Sequence, residues 1–323
     1  MTDVVVLGRV GYDLISEEPG VPLKDVRRFS RYLGGSSANI AVGLARLGVR
    51  VGLIAAVGTD ALSDFLVEFL RAENVDTTHV VRVPGCLPSL ALTEVTPPDR
   101  FPQVFYRRDP ADVHLEIGEA ELDYLSRARM FVTNGTSLCA TPSRESTYLA
   151  LERAKAAGLR VVLDVDYRPM SWRRPADAGL AVRLALPFVH VLIGNDVELK
   201  LVAGTESLED ATDRLRRQGV ELLVSKLGAA GVRVWAGQQS WFLEPYPVEV
   251  QSTIGAGDGF AAGFLWALLQ GRPLEDCLRY GNAAAAIVVS RLSCSEAMPT
   301  RAEIEALMAE RPVRSESDSG RLR

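Results

Sequence analysis

The chain has little histidine and little cysteine: three and four residues among 323, with aromatics at 7%. Cys86, Cys139, Cys277 and Cys294 are widely spaced, with no Cys-x-x-Cys pair and no histidine at ligand spacing. That pattern argues against a zinc framework or a disulfide scaffold and reads as small reduced core residues. His79, His114 and His190 fall into no triad or metal spacing and receive no role. An excess of positive charge is also missing, since 36 Lys and Arg stand against 41 Asp and Glu, a net charge of −5. A dedicated nucleic-acid binder would need a basic surface to displace counterions, so no nucleic-acid partner is expected. The amino terminus, MTDVVVLGRVGYDL, carries an acid at position 3 and too few apolar residues before Gly8 for a signal peptide or a span. It reads as a first buried strand, and with the unpaired thiols it makes the cytoplasm the expected compartment and a membrane partner unexpected.

What the chain does have is a composition of 47% hydrophobic and 24% charged residues, enough to bury a large core. Short β-branched runs at 4–8, 51–58, 130–135, 161–166, 189–195 and 221–228 alternate with segments of helical period starting at Ser36, Asp60, Ser143 and Leu208. Such alternation predicts βαβ units, a parallel sheet and helices on both of its faces. Two stretches break the rhythm, residues 12–33 and 82–110, the second reading as two strands joined at Pro97-Pro98-Asp99. Both are expected to form a small β lid standing off the sheet. One domain over residues 1–312 follows, with a polar, Ser-rich tail, 313–323, expected to be disordered.

The chemistry concentrates in two glycine-rich turns. Gly255, Ala256 and Gly257 precede an apolar helix, so their N–H groups can approach an anion that also meets the positive helix end. Asp258 stands at the mouth of this phosphate cradle. It is either a base for an attacking hydroxyl or an N-terminal aspartate capping the turn. The other turn, Gly34-Gly35-Ser36-Ser37-Ala38-Asn39, is weak alone, and Asp13 follows the first strand where open α/β sheets place ligands.

Together, Gly34-Gly35-x-x-Ala38-Asn39 and Gly255-Ala256-Gly257-Asp258 resemble the two signatures of the ribokinase-like PfkB carbohydrate kinases. The similarity runs from Val4 to about Leu307 and includes Asn195-Asp196-Val197-Glu198 and Lys226-Leu227-Gly228-Ala229-Ala230-Gly231 in order. The resemblance implies an α/β, ribokinase-like three-layer sandwich with a mainly parallel central sheet and a small β lid. It also implies ATP as phosphoryl donor, Asp258 as catalytic base, and the amides of Gly255, Ala256 and Gly257 around the transferring group. By the same carry-over Asp13, Gly34, Gly35 and Asn39 hold the substrate. Asn195 and Glu198 organise Mg²⁺ through water, although the pair alone reads equally as a helix cap. Asn195, Ser225, Lys226, Gly228, Gly231, Gly255, Gly257 and Asn282 contact ATP.

Within the family the chain is most similar to the branch that phosphorylates 5-dehydro-2-deoxygluconate in inositol breakdown. The likeness rests on Phe105-Tyr106-Arg107 with Ala111-Asp112, on Asp164-Val165-Asp166-Tyr167-Arg168-Pro169 with Trp172, and on Ser293–Thr300. Kinases of 2-keto-3-deoxygluconate share the Tyr-Arg and Tyr-Arg-Pro elements, so these indicate a sugar acid more firmly than they indicate which one. Arg107 and Arg168 are suited to a substrate carboxylate, unless each pairs with a nearby acid such as Asp109 or Asp166. Ser252 replaces an aspartate that many members use for an activating K⁺, so no K⁺ is assigned. A homodimer through the lid strands is a further expectation of the resemblance. A non-catalytic sensor is disfavoured because Asp258 is kept. A nicotinamide dehydrogenase is disfavoured because Gly8-Arg9-Val10-Gly11 lacks the third glycine of its fingerprint.

Overall fold

A computed structural model describes residues 2–98 and 100–319. In chain order the elements are β1 (Val4–Leu7), β2 (Gly11–Ser16), β3 (Phe29–Gly34), α1 (Ser36–Arg46), β4 (Val51–Val57), α2 (Ala61–Ala72), β5 (Asp76–Arg82), β6 (Ser89–Thr93), β7 (Gln103–Tyr106), α3 (Glu119–Ser126) and β8 (Met130–Asn134). There follow α4 (Ser143–Ala156), β9 (Arg160–Asp164), α5 (Pro175–Ala185), β10 (Val191–Asn195), α6 (Asp196–Ala203), α7 (Leu208–Arg217), β11 (Leu222–Lys226), β12 (Val232–Ala236), β13 (Gln239–Leu243), α8 (Ala256–Leu269), α9 (Leu274–Val289), α10 (Arg301–Glu310) and β14 (Ser315–Ser319).

Ten strands form the central sheet in the order β14-β13-β12-β11-β10-β9-β8-β1-β4-β5. The seven from β11 to β5 are parallel and the remaining three antiparallel. Strands covered on both faces must be apolar throughout, and every residue of β1 and of β4 is buried. Side chains alternate across the sheet. Val4 and Val6 join one core with Phe260, Phe264 and Leu265 of α8, while Val5 and Leu7 join a second with Leu151 of α4 and Leu199 of α6. Each large apolar side chain buried this way contributes about 1.5–3 kcal/mol. The result is the expected three-layer sandwich.

The chain leaves β1 toward β4 on one side and returns to β8 on the other. That reversal opens a crevice at the carboxyl ends of the strands, where ligands bind in open α/β sheets. Over it stands a second sheet of order β3-β2-β6-β7, the expected lid, in which β6 and β7 are antiparallel and β2 and β6 parallel. Asp99 of the expected turn lies outside the described residues.

The tail departs from the expectation of disorder. Residues 315–319 pair antiparallel with β13, from Gln239 opposite Ser319 to Leu243 opposite Ser315. Backbone pairing at a sheet edge does not depend on side-chain hydrophobicity, which is why polar composition misjudged it; residues 320–323 lie outside the described residues. Among the described residues no helix is long and apolar enough to cross a membrane.

Candidate active site

The two glycine-rich turns meet under the lid. Asp258, in the first turn of α8, accepts a hydrogen bond from Ser36 Oγ at 2.8 Å and another from Asn39 Nδ2 at 2.7 Å, both from α1. Burial pushes its carboxyl up to about 6, repulsion from Asp166 adds to this, and the bonds from Asn39 and Ser36 and the charge of Arg168 oppose it. A carboxylate in that range is ionised at neutral pH yet basic enough to take a proton.

Both turns require glycine for steric reasons. Gly35 has φ +94°, and a Cβ there would lie 2.6 Å from the Arg9 carbonyl oxygen. Gly255 has φ +80°, and its Cβ would lie 2.9 Å from Cys294 Cα. These contacts let the α8 N-terminus press against the Ser293–Thr300 segment. Cys294 Sγ in turn donates to Asp13 Oδ2 at 3.7 Å, and Ser295 Oγ donates to the Leu33 carbonyl at 2.8 Å. The segment therefore ties strands β2 and β3 to the Gly255 turn.

One narrow cleft, with a cavity volume of about 40 Å³, is lined by Arg9, Asp13, Gly35, Ser36, Asn39, Gln103, Phe105, Arg168, Ile254, Gly255, Asp258 and Cys294. Asp13 is buried, which pushes its carboxyl up against the opposing charge of Arg9. Gly34 abuts it, for a Cβ there would fall 2.2 Å from Asp13 Oδ2. Asn39 Oδ1 is buried with no hydrogen-bond partner among the described residues and so can accept a hydroxyl. A larger groove of about 880 Å³ lies on the lid beside Leu87, Leu90 and Tyr106, away from Asp258. It has no carboxylate and no phosphate cradle, so it is not the chemical site.

The two expected arginines behave differently. Arg168 lines the cleft, pairs with Asp166 Oδ1 at 2.9 Å and leaves its Nε buried with no partner among the described residues. Asp166 also accepts from Thr136 Oγ1 at 3.1 Å and has φ +36°, a strained conformation that places it beside Arg168. Arg107 does not line this cleft. Its Nη1 and Nη2 donate to Asp112 at 2.8 and 2.5 Å and its Nε donates to Ser171 Oγ at 3.1 Å. The acid opposite Arg107 is thus Asp112, while Asp109 bonds His114 at 2.7 Å.

The expected nucleotide residues lie along the carboxyl ends of β10 and β11. Lys226 Nζ donates to both oxygens of Asp164, at 3.2 and 2.9 Å, and would be 3.3 Å from a Cβ on Gly257. Burial opposes its charge, but Asp164 and Glu198 outweigh it and hold the ammonium protonated. The arrangement places a cation beside the N-terminus of α8. Asn195 and Glu198 form a reciprocal cap on α6: Asn195 Oδ1 accepts from Glu198 N at 2.9 Å, and Glu198 Oε2 accepts from Asn195 N at 2.7 Å. Glu198 Oε1 accepts from Tyr167 N at 2.9 Å. Gly231 closes the turn after β11, since a Cβ there would meet the Leu243 carbonyl at 2.3 Å, while Gly228 sits at φ +58° in the same turn. Ser225 is fully buried, and Asn282 Nδ2 donates to the Glu244 carbonyl at 2.6 Å. Arg9, Ser36, Gln103, Phe105, Asp164, Ile254 and Cys294 line the cleft or meet Lys226 and have no role assigned from sequence.

A buried carboxylate held by two donors in the first turn of a helix, under a small sheet, is an arrangement compatible with phosphoryl transfer to a small alcohol. The sequence profile described as pfkB family carbohydrate kinase matches residues 1–301. The chain belongs to this family, and it is a carbohydrate kinase. It is 36% identical over 309 residues to the 5-dehydro-2-deoxygluconokinase of Geobacillus kaustophilus, covering 94% of this chain and 92% of that protein. It is 37% identical over 306 residues to the 5-dehydro-2-deoxygluconokinase of Photobacterium profundum, covering 93% and 92%. The solved structure of a fructokinase with bound ATP from Xylella fastidiosa superposes with a TM-score of 0.83 at 26% identity, covering 96% of this chain and 99% of that one.

Proposed function

We propose that this kinase transfers the γ-phosphoryl group of ATP to the terminal hydroxyl of a sugar acid, 5-dehydro-2-deoxygluconate, with Asp258 as the base. The observation that carries the reading is the pair of hydrogen bonds from Ser36 and Asn39 to Asp258, which fixes one carboxylate at the mouth of the α8 cradle. The choice of acid is supported by the names of the relatives.

With the acceptor hydroxyl against Asp258, the carboxylate takes its proton as the oxygen attacks in line. Amides of Gly255, Ala256 and Gly257 and the Lys226 ammonium face the charge of the transferring group, in a site preorganised by the helix end. Asp13, Gly34, Gly35 and Asn39 hold substrate hydroxyls. Lid strands cover the crevice and so limit transfer to water.

For a divalent ion the donors fit a loosely held magnesium. Each Glu198 oxygen accepts one backbone N–H and keeps lone pairs, while no cluster of three or more metal-binding side chains exists among the described residues. Asn195 and Glu198 would hold Mg²⁺ through water, and the ion would neutralise phosphate charge. Ser252 is fully buried and its Oγ accepts from Ile254 N at 3.2 Å, serving the turn and offering no carboxylate to K⁺.

The reading extends to a homodimer through the lid, where Tyr106 is 65% and Leu87 62% exposed and β3 and β7 are open edges of the small sheet. Light scattering tests this. The activity is tested by coupled ADP release with 5-dehydro-2-deoxygluconate, 2-keto-3-deoxygluconate, fructose and ribose. The highest kcat/KM belongs to the first; preference for a neutral sugar overturns the acid reading.

A further inference from the structure

Three arginines gather where β1 passes into the lid, and only two have an acid of their own. Arg107 is saturated by Asp112 and Arg168 is paired with Asp166. Arg9, in the link between β1 and β2, is 6% exposed, lines the cleft, and makes no side-chain hydrogen bond or salt bridge among the described residues. Its Nε is buried with no partner among the described residues. An uncompensated buried charge costs several kcal/mol, so a fold that keeps one at a cleft wall implies a partner that arrives from outside. The Arg9 backbone is locked as well: its carbonyl accepts from Ala38 N at 3.4 Å and stands against Gly35.

We infer that Arg9 is a specificity-determining residue that takes the carboxylate of the sugar acid, with Arg168 beside it, while Arg107 stays committed to Asp112. The inference rests on the sugar-acid reading above and adds to it the residue that recognises the acid. A guanidinium with free donors can grip a carboxylate in a forked, charge-assisted pair. The acids that line the cleft are bonded elsewhere: Asp13 feels the charge of Arg9 but is bonded by Cys294, and Asp258 is bonded by Ser36 and Asn39. Among the described residues Arg9 is thus the guanidinium in the cleft with no acid bonded to it, and it is left to meet a substrate carboxylate. Burial lowers the tendency of Arg9 to stay charged and the neighbouring Arg107 adds to this, so an incoming anion has an unsatisfied cation to meet.

The test compares kcat/KM for 5-dehydro-2-deoxygluconate with that for the same compound carrying a hydroxymethyl group in place of its carboxylate. In wild type the acid is preferred. In Arg9→Gln the preference falls by about 10–100-fold, the loss of one charged hydrogen-bonding pair, with KM for ATP unchanged. Arg9→Lys, which keeps charge but not the fork, loses an intermediate part; should Arg9→Gln not fold, this variant decides. An unchanged acid-to-neutral ratio in either folded variant overturns the role of Arg9 and leaves the sugar-acid reading standing. Absence of any acid preference in wild type overturns both.

Discussion

Asn39 Nδ2 donates to Asp258 Oδ2 at 2.7 Å, joining the two glycine-rich turns across 219 residues of sequence. Since this bond stabilises the ionised carboxylate, its loss makes Asp258 harder to ionise. The wild-type acidic limb of kcat/KM is expected near pH 6, where Asp258 gains its proton. In Asn39→Ala the limb moves to higher pH and kcat falls. A pH–rate profile checks both; a limb that stays in place would show that Asn39 does not act through Asp258.

The same carboxylate limits stability. The folded state holds the Asp258 proton up to about pH 6, whereas the ordinary value is 3.8. Its contribution to stability is therefore complete below 3.8 and is lost as pH rises through 6. Asp258→Asn carries no buried charge, and Asn39 can turn its unpartnered Oδ1 toward the new amide. The variant is expected to melt above wild type at pH 8, with the gap narrowing toward pH 5. Thermal melts at the two pH values decide; a variant that melts lower at pH 8 contradicts the electrostatic account.

Arg107 and Asp112 are both buried, with side chains 5% and 6% exposed. Removing one partner strands the other charge, a loss of about 3–5 kcal/mol. Arg107→Ala should show this in urea unfolding, whereas Arg107→Met with Asp112→Leu should recover most of it. If Arg107→Ala is as stable as wild type and loses only acid affinity, the guanidinium serves substrate and not Asp112.

Lys226→Met removes the cation that faces both the α8 cradle and Asp164. A drop in kcat of about tenfold or more is expected from losing one charged donor to the transferring group. Stopped-flow single turnovers with ATP measure it. Unchanged turnover would place Lys226 in the scaffold alone.

Much of this was legible in the sequence because the parallel strands are covered on both faces. Runs such as Val4–Leu7 and Val51–Val57 have no polar interruption to disguise them. The lid hairpin was legible through its turn residues. β5, with Thr77 buried and Thr78 exposed beside charged ends, lies at a sheet edge and carries no such run. β14 is held by backbone pairing, which composition does not encode. The candidate base and cradle were readable as motifs of fixed spacing, but partners set by tertiary contact were not. Asp112 rather than Asp109 facing Arg107 depends on lid geometry. Arg9 belongs to no motif, and its one signal was a lone charge in Gly8-Arg9-Val10-Gly11 directly after a buried strand.

The role of Asp258 is tested most directly by Asp258→Asn in single-turnover phosphoryl transfer from ATP to 5-dehydro-2-deoxygluconate, with binding of both ligands titrated separately. Asparagine keeps the size of the side chain but cannot take the hydroxyl proton. The account predicts turnover reduced by about 10²–10⁴-fold with both ligands still bound. Turnover above about a tenth of wild type would contradict it, because no essential base in that range could be removed so cheaply.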